Sequence, residues 1–328
     1  MKAITYHSYG SPDVLKCEEI EKPTPGDDEV LIKVRAASVN PLDSHLMRGR
    51  PYIARIFFGL RKPKLTRPGV DMAGQVEAVG RNVTEFKPGD EVFGFCRGAL
   101  AEYVCTSESA VVLKPENMTF EQAASVNVAA ITALQGLRDK GQIRAGQKVL
   151  INGAAGGVGT FAVQIAKSFG AEVTGVCSTR NVEMVRSIGA DHVIDYTRED
   201  FTKGEQRYDV IFDLVANHSL SVLRRVLNPK GIYIGAGVLG AGESLSGLLA
   251  RCLTMLVLSR FVSQKFSTLM AKRSKEDLTV MHDLMKAGKV TPVIDRCYSL
   301  TEAHEAIRYL AEKHARGKVV VTLEHDEG

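Results

Sequence analysis

The residues whose types and spacing best indicate chemistry are the small residues at positions 153–159, Gly-Ala-Ala-Gly-Gly-Val-Gly. Before them, the apolar run 149–151 predicts a buried strand, and apolar residues at helical spacing in 158–168 predict a helix directly after them. In such a turn, glycines let the backbone approach a pyrophosphate, and the helix N-terminus supplies N–H groups and a positive dipole. We therefore predict a dinucleotide site, although the match to G-x-G-x-x-G begins with Ala154. A glycine-rich turn without a ligand is the alternative.

The residues after the second predicted strand, 172–177, indicate which dinucleotide is bound. An enzyme that uses NAD places an acidic residue there to hydrogen-bond the ribose 2′-hydroxyl, whereas this chain has Ser178, Thr179 and Arg180. A hydroxyl and a guanidinium would accept a 2′-phosphate through charge-assisted hydrogen bonds, which a carboxylate would repel. The sequence therefore favours NADPH over NADH. The alternative is that Arg180 is a solvated cation that opens the next helix.

The composition is that of an ordinary globular protein. The chain has 328 residues, 45% of them hydrophobic, and 42 Lys and Arg against 38 Asp and Glu give a net charge of +4. This length predicts two lobes, and the even, scattered charge argues against a nucleic-acid partner. The six cysteines include no C-x-x-C pair, so we expect neither a disulfide framework nor a cysteine-rich metal site.

The N-terminal residues show no signal-peptide pattern, so we expect a cytoplasmic protein. The most apolar segment, 248–262, is interrupted by Arg251 and Arg260 and is too short to cross a bilayer. We interpret it as a buried or interface helix. A homodimer is left open, and contact with a membrane surface is not expected.

Around these residues, two kinds of pattern divide the chain. Up to residue 115, short alternating or apolar runs separated by Pro-Gly and Gly-Asp turns predict a β-rich domain, with an irregular insert at 38–69. From Thr119, whose spacing to Gln122 forms a capping box, the pattern becomes helical to about residue 137. Strands at 148–152, 172–177, 192–195, 209–214 and 231–236 then alternate with helices at 158–168, 181–188 and 219–227. This alternation predicts an α/β fold with a doubly wound parallel sheet. Helices at 275–287 and 302–313 and a strand at 318–323 complete the prediction.

Seven stretches in the same order resemble the medium-chain dehydrogenase/reductase superfamily, and within it the zinc-free quinone oxidoreductase branch. They are Gly69-Val-Asp-Met-Ala-Gly-Gln-Val-Glu-Ala-Val-Gly80, Lys87-Pro-Gly-Asp-Glu-Val-Phe93, Gly98-Ala-Leu-Ala-Glu-Tyr103, Ala130-Ile-Thr-Ala-Leu134, Gly153-Ala-Ala-Gly-Gly-Val-Gly159, Gly189-Ala-Asp-His-Val-Ile-Asp-Tyr196 and Gly317-Lys-Val-Val320. The resemblance implies a GroES-like β-rich substrate and catalytic domain, residues 1–122 and 290–328. It also implies a Rossmann domain that binds NADPH, residues 123–289.

The resemblance also bears on metal. Zinc-dependent relatives carry ligands near positions 40, 69–71 and 128, where this chain has Asn40, Asp71 and Val128. A lone Asp cannot hold Zn²⁺, which needs about three protein ligands, so we expect no metal. Without a Lewis acid the hydride acceptor must itself be electrophilic, and we expect a quinone or an α,β-unsaturated carbonyl.

Four residues are candidates for catalysis. In the resembled family, Asn40 and Asp43 lie on the loop facing the nicotinamide and would position the cofactor ribose or the substrate. The alternatives are that Asn40 forms a turn with Pro41 and that Asp43 caps the following segment. His45 and Tyr52 fall in the irregular insert, and either could donate a proton. Each could equally have a packing or surface role.

The cofactor-binding candidates come from the glycine-rich turn, from the adenosine side, from the start of the linking helix, from the carboxyl ends of later strands and from the C-terminal segment. For His314 and Arg316, a solvated basic loop is the alternative. The full set is Thr132, Ala155, Gly156, Gly157, Val158, Gly159, Ser178, Arg180, Tyr196, Val215, Gly235, Gly237, Val238, His314 and Arg316.

Two other functions remain open at this point. One is a reductase of alkenals, acryloyl-type thioesters or related enones, which only the shape of the substrate pocket would separate from a quinone reductase. The other is a non-catalytic protein that binds NADPH and acts as an adaptor. In each case the partner we expect is a small molecule together with the nucleotide.

Overall fold

The computed structural model describes residues 1–50, 52, 55–236, 254–255, 262–312 and 315–323. Its strands are β1 (Lys2–Thr5), β2 (Lys16–Glu19), β3 (Glu29–Val39), β4 (Asp71–Val79), β5 (Glu91–Phe95), β6 (Tyr103–Ser107), β7 (Val111–Leu113), β8 (Lys148–Asn152), β9 (Glu172–Cys177), β10 (His192–Asp195), β11 (Tyr208–Asp213), β12 (Leu227–Gly235), β13 (Lys265–Thr268), β14 (Ile294–Ser299) and β15 (Lys318–Thr322).

Its helices are α1 (Pro41–Arg48), α2 (Arg55–Phe58), α3 (Phe120–Ala124), α4 (Asn127–Gln135), α5 (Gly157–Ser168), α6 (Val182–Ser187), α7 (Leu220–Val226), α8 (Lys275–Lys286) and α9 (Ala303–Glu312). A π-helical turn, Gly136–Lys140, follows α4. No helix within the described ranges is both long and apolar enough to span a bilayer.

The first of two compact units comprises Met1–Val128, Arg273–Gly288 and Pro292–Gly328. Its main sheet has the order β14-β15-β3-β4-β5-β7, with β6 also paired to β3. The long strand β3 is buried along most of its length and pairs antiparallel with β4, β6 and β15. Strand β15, which is also buried, thus brings the C-terminal segment back into the β-rich unit, as the sequence predicted.

The second unit comprises Ala129–Lys272 and Lys289–Thr291 and contains a six-stranded parallel sheet in the order β10-β9-β8-β11-β12-β13. This is the strand order of a dinucleotide-binding fold, in which the order reverses between the first and fourth strands. In helix α5, Phe161 and Ile165 are four residues apart and so share one face, and all residues from Gly159 to Ala166 are buried. The predicted fold class, a GroES-like β-rich lobe with a doubly wound Rossmann domain, is confirmed.

The two units differ from the predicted domains by six residues at the first boundary and by two at the last, and they differ most over residues 273–288. Residues 273–288, which we assigned to the Rossmann domain, belong to the first unit. Within that unit, Asn117 donates a hydrogen bond to the carbonyl of Met285 at 3.1 Å, and the Lys275 ammonium lies 2.7 Å from a Glu85 carboxylate oxygen. The helical period of α8 predicted its existence but gave no information about which sheet it would contact.

Several local predictions need correction. The insert at 38–69 is not wholly irregular: Pro41 at the first helical position starts α1, and a short α2 follows. The helical segment predicted to run to residue 137 divides at Ser125, whose hydroxyl donates to the carbonyl of Glu121 at 2.8 Å. Strands β2, β13 and β14 were not predicted, because edge strands with half-exposed polar residues lack a clear apolar alternation. Most of the segment 248–262 lies outside the described residues.

Candidate nucleotide-binding and catalytic site

In the second unit, the glycine-rich turn joins β8 to α5. Gly153 has φ +91°, and a Cβ at Gly159 would lie 2.1 Å from the Gly153 carbonyl oxygen, so both positions require glycine. Gly156 is the N-cap of α5, and no side chain caps the helix there. A Cβ at Gly156 would meet only the Gly153 oxygen, at 3.6 Å, so the space in front of the helix N-terminus is open. The N–H groups of Gly157, Val158 and Gly159 lie in this first turn and have no acceptor within the helix. Ala155, next to them, is buried.

The adenosine-side candidates meet at the carboxyl end of β9. Ser178 is half-buried and Arg180 is exposed, and Tyr196 is brought beside them because its N–H donates to the Cys177 carbonyl at 3.0 Å. The Ser178 oxygen accepts a hydrogen bond from the side-chain amide of Asn181 at 3.1 Å, which leaves its own hydroxyl hydrogen to donate. These three residues therefore form one polar edge at the end of β9, and its role as a phosphate site stays a prediction.

A carboxylate that the sequence analysis did not consider also stands at this edge. Asp195 precedes Tyr196 and accepts from the Thr179 hydroxyl at 2.6 Å and from both the N–H and the hydroxyl of Thr197. The Thr179 hydrogen bond is the main cause that keeps the pKa of Asp195 below its usual range, so this group stays ionised at neutral pH. These hydrogen bonds hold the turn that carries Ser178 and Arg180.

Val215, the next cofactor candidate, follows β11 and is held by the buried carboxylate of Asp213. Asp213 accepts from the side-chain amide of Asn152 at 2.8 Å and from the Tyr233 hydroxyl at 3.0 Å. It also accepts from the backbone N–H groups of Val215 and Ala216, and Ala216 is held with a positive φ of 60°. This network fixes Val215, whose side chain lies beside Gly153 and is 41% exposed.

The remaining cofactor candidates are spread through the fold. Gly235 ends β12 and is buried, and Thr132 is half-buried in α4. Arg316 lies in the first unit, where it is exposed and its N–H donates to the Asp295 carboxylate at 2.9 Å. Gly237, Val238 and His314 lie outside the described residues.

In the first unit, the structure brings two of the four catalytic candidates into one buried polar cluster. We define the polar cluster as Ser38, Asn40, Asp43, Asp71 and Lys318, all of which are buried. The Lys318 ammonium donates to the Asn40 side-chain oxygen at 2.6 Å and lies 3.5 Å from an Asp71 carboxylate oxygen. The Asn40 amide nitrogen donates to the same Asp71 oxygen at 2.9 Å. Because the Lys318 ammonium donates to the Asn40 oxygen and the Asp71 oxygen accepts from the Asn40 nitrogen, the orientation of the Asn40 amide is fixed.

Both Asp carboxylates of this cluster also hold backbone. Asp71 accepts from the Ser38 hydroxyl at 3.1 Å and from the Val128 N–H at 3.2 Å. Asp43 accepts from the backbone N–H of Asn40 at 2.7 Å and from that of Gly69 at 3.0 Å, so it caps α1. Burial raises the pKa of Asp43 to about 6, against the effect of these two hydrogen bonds. Burial also lowers the pKa of Lys318, and its attraction to Asp71 and Asp43 opposes that shift.

The other two catalytic candidates, His45 and Tyr52, lie outside the polar cluster. His45 is half-buried in α1, and burial together with nearby Arg48 lowers its pKa, so the imidazole is neutral at pH 7. Tyr52 is 66% exposed, and the Arg55 guanidinium lies 4.9 Å from its ring centroid.

Sequence analysis did not identify Lys318 as a site residue. Lys318 stands at the start of the strand Lys-Val-Val-Val-Thr, where three valines follow it, and all but the last of these residues are buried. A lysine in a buried strand needs an anionic partner, which is the signal that could have linked it to Asp71. The identity of that partner depends on pairing across β15, β3 and β4, and the sequence does not specify that pairing.

Comparison with known proteins places the chain in a family. Residues 26–116 match the family described as Alcohol dehydrogenase GroES-like domain, and residues 188–321 match the one described as Zinc-binding dehydrogenase. The chain therefore belongs to the medium-chain dehydrogenase/reductase superfamily, a family of nicotinamide-dependent oxidoreductases, and within it to the quinone oxidoreductase branch.

Three similar proteins illustrate this placement. The 2-methylene-furan-3-one reductase of Solanum lycopersicum is 35% identical over 98% of this chain and 79% of that protein. The chloroplastic quinone-oxidoreductase QR1 of Triphysaria versicolor is 34% identical over 98% of both chains. The structure of the quinone oxidoreductase from Coxiella burnetii superimposes with a TM-score of 0.84 at 30% identity and covers 99% of both chains. The predicted family resemblance is confirmed.

Proposed function

We propose that this chain is a zinc-independent oxidoreductase that uses NADPH to reduce quinones or α,β-unsaturated carbonyl compounds. In this proposal the second unit, with the Rossmann sheet, is the NADPH-binding domain, and the first, GroES-like unit is the substrate and catalytic domain. The observation that carries the proposal is the uncapped, glycine-lined N-terminus of α5 beside the polar edge at Ser178. Backbone N–H groups and a helix dipole suit a pyrophosphate there.

The preference for NADPH over NADH rests on the groups at the end of β9. A 2′-phosphate would receive the Ser178 hydroxyl hydrogen and the charge of the Arg180 guanidinium, with Tyr196 beside them. Asp195 is a nearby anion, and its negative charge opposes the binding of a phosphate. Its oxygens already accept three hydrogen bonds from Thr179 and Thr197, so it positions this turn and would not contact the nucleotide.

In the first unit, the polar cluster would position the reacting groups. When bound, NADPH supplies a hydride from C4 of its nicotinamide. Asn40 carries a second amide hydrogen besides the one it gives to Asp71, and this donor is suited to the cofactor ribose or to the substrate oxygen. Asp43 would act as a positioning residue because it holds the N-terminus of α1. His45 and Tyr52 remain candidates for proton delivery, and the neutral state of His45 favours Tyr52 or solvent as the donor.

The proposal of zinc independence rests on how the polar cluster uses the positions that would hold metal. Asn40 cannot replace a cysteine thiolate as ligand, and Val128 offers no side-chain donor. Asp71 is engaged by Lys318, Asn40, Ser38 and the Val128 N–H, so a cation is already supplied by the chain itself. A zinc ion there would face the Lys318 ammonium.

The activities for which the similar proteins are named support the substrate class. One is a reductase of 2-methylene-furan-3-one, which is an enone, and the others are quinone oxidoreductases. Both acceptors are conjugated electrophiles that take a hydride without a Lewis acid. If no acceptor is reduced, the remaining candidate function is that of a non-catalytic protein that binds NADPH.

The test is oxidation of NADPH and of NADH by the purified protein, followed by the loss of nicotinamide absorbance. The acceptors are 9,10-phenanthrenequinone, 1,4-benzoquinone and a set of enals. We expect turnover with at least one quinone or enal and a higher kcat/KM for NADPH. NADPH binding without turnover on any acceptor would contradict the proposed activity, and equal use of NADH would contradict the proposed cofactor.

A further inference from the structure

One segment of the first unit has an unusual concentration of positive charge. We define the basic–apolar segment as residues 48–67. It contains seven cations, Arg48, Arg50, Arg55, Arg61, Lys62, Lys64 and Arg67, and the sequence has no Asp or Glu between Asp43 and Asp71. Because the whole chain has a net charge of only +4, the remainder of the chain is net negative. The cations are therefore concentrated here, in contrast to the scattered charge elsewhere.

The same segment exposes large apolar side chains. Tyr52 is 66% exposed, Ile56 62%, Phe57 74% and Leu60 69%. Elsewhere in the described residues, exposed large hydrophobic side chains such as Leu113 and Met270 are far from one another in sequence. Isolated cases of this kind are normal, whereas a cluster rimmed by polar residues marks an interaction surface.

The backbone of the segment is held by specific hydrogen bonds. The Tyr9 hydroxyl lies 3.1 Å from the carbonyl oxygen of Phe58 and 2.6 Å from that of Gly59. The Arg55 guanidinium donates to the carbonyls of Gly49 at 3.1 Å and Arg48 at 3.2 Å, and it stacks 4.4 Å from the Tyr9 ring centroid. Arg55 and Tyr9 thus provide hydrogen-bond partners for the backbone carbonyls of this segment, while the side chains of Ile56, Phe57 and Leu60 are exposed to solvent.

We propose that the basic–apolar segment docks this protein onto the surface of an anionic lipid bilayer. Ile56, Phe57 and Leu60 would enter the boundary between headgroups and acyl chains, and the flanking Arg61, Lys62 and Lys64 would lie at the level of the lipid phosphates. Two of the three side chains that would enter the bilayer, Ile56 and Leu60, are aliphatic and offer no aromatic face on which a base could stack, which favours lipid over nucleic acid. Two of the three cations beside Leu60, Lys62 and Lys64, are lysines, a residue type that is depleted in protein interfaces and that suits the lipid phosphates.

This inference goes beyond the proposed function and does not depend on NADPH or on catalysis. It also revises our expectation of no membrane contact, which considered only segment 248–262 and a signal peptide. The docking is to a surface, and no described helix would need to cross the bilayer.

The experiment is flotation of the full-length protein with vesicles of phosphatidylcholine alone or of phosphatidylcholine with phosphatidylglycerol. We expect binding to the anionic vesicles that weakens as salt rises, and at least tenfold weaker binding to the neutral ones. Two variants test the segment, Phe57→Ser with Leu60→Ser, and Arg61→Gln with Lys62→Gln and Lys64→Gln. Each is expected to reduce anionic-vesicle binding at least tenfold. Tyr52 is left intact because it is a candidate catalytic residue.

Matched controls change exposed residues elsewhere: Met270→Ser for the apolar pair, and Lys203→Gln with Arg207→Gln and Lys230→Gln for the cations. These controls are expected to bind vesicles like the wild type, and all variants to keep the wild-type unfolding temperature. Absence of vesicle binding, equal binding to both vesicles, or unchanged binding of the segment variants would overturn the proposal. Self-association that the segment variants abolish, without vesicle binding, would assign the surface to a second copy of the chain instead.

Discussion

The polar cluster of the first unit and the glycine-rich turn of the second unit are built in opposite ways. The polar cluster consists of charged and amide side chains that are buried and bonded to one another, with Lys318 between Asn40 and Asp71. The glycine-rich turn consists of backbone, and its N–H groups at the start of α5 have no side-chain cap. One region satisfies its own polar groups, whereas the other leaves them available to a ligand.

This difference predicts that the two regions respond differently to substitution. Changes in the polar cluster should act first on folding stability, because removing one partner leaves another charge buried without compensation. Changes in the glycine-rich turn or at the Ser178 edge should act on nucleotide affinity and leave stability nearly unchanged. The following predictions test this contrast.

The largest effect is expected for Lys318→Met, which removes the cation and keeps a long apolar side chain. We expect the free energy of unfolding to fall by about 3–5 kcal/mol, because Asp71 loses its charged partner in the interior. Urea denaturation measures this change. The double variant Lys318→Met with Asp71→Asn should recover at least about 1 kcal/mol. A loss below about 1 kcal/mol for Lys318→Met would show that the cluster is not a coupled unit.

The second effect concerns pH. Burial raises the pKa of Asp43 from 3.8 to about 6, so the folded protein binds this proton more tightly than the unfolded chain does. The resulting stabilisation is complete below the unfolded pKa and is lost as the pH rises through the folded pKa. As the pH rises from 3.8 to about 6, we expect the free energy of unfolding of the wild type to fall by on the order of 3 kcal/mol relative to that of Asp43→Asn. Unfolding measured for both proteins across this range tests it, and a difference that stays constant with pH would be evidence against a buried, titrating Asp43.

The third prediction moves to the nucleotide edge. Arg180→Ala should weaken NADPH binding about 10- to 100-fold, the value of one charge-assisted hydrogen bond, and leave NADH binding unchanged. Titration calorimetry with both nucleotides measures this. The matched control is Arg186→Ala, which removes an exposed arginine of α6 that is paired with Glu183. Equal losses for NADPH and NADH would remove Arg180 from the phosphate site.

The smallest effect is expected for Gly156→Ala. Gly156 has φ −82° and ψ 174°, which alanine adopts without strain, and the added methyl meets only one protein atom. Stability should therefore be unchanged, while affinity for both nucleotides falls about tenfold because the methyl occupies the space in front of the helix. The comparison substitution is Gly204→Ala, at another open glycine of the second unit. Unchanged nucleotide affinity would mean that no ligand approaches Gly156.

The same contrast explains what could be predicted from the sequence. The strand β8, the turn and α5 are contiguous, so local periodicity and glycine spacing predicted them nearly to the residue. Asn40 and Asp43 were identified through the family resemblance, but the ion pair between Lys318 and Asp71 joins residues far apart in the sequence. Only the pairing of β15 with β3 and of β3 with β4 brings them together. Helix α8 shows the same limit, because its amphipathic period does not specify which sheet it packs on.

In the function proposed above, this chain transfers hydride from NADPH to a conjugated carbonyl acceptor without a metal ion, and Lys318 supplies the cation beside Asp71. The most direct measurement is NADPH oxidation by protein treated with a strong chelator, with the quinone and enal panel as acceptors. We predict full turnover after chelation, with no gain from added zinc. Activity that is lost on chelation and restored by Zn²⁺ would contradict the account.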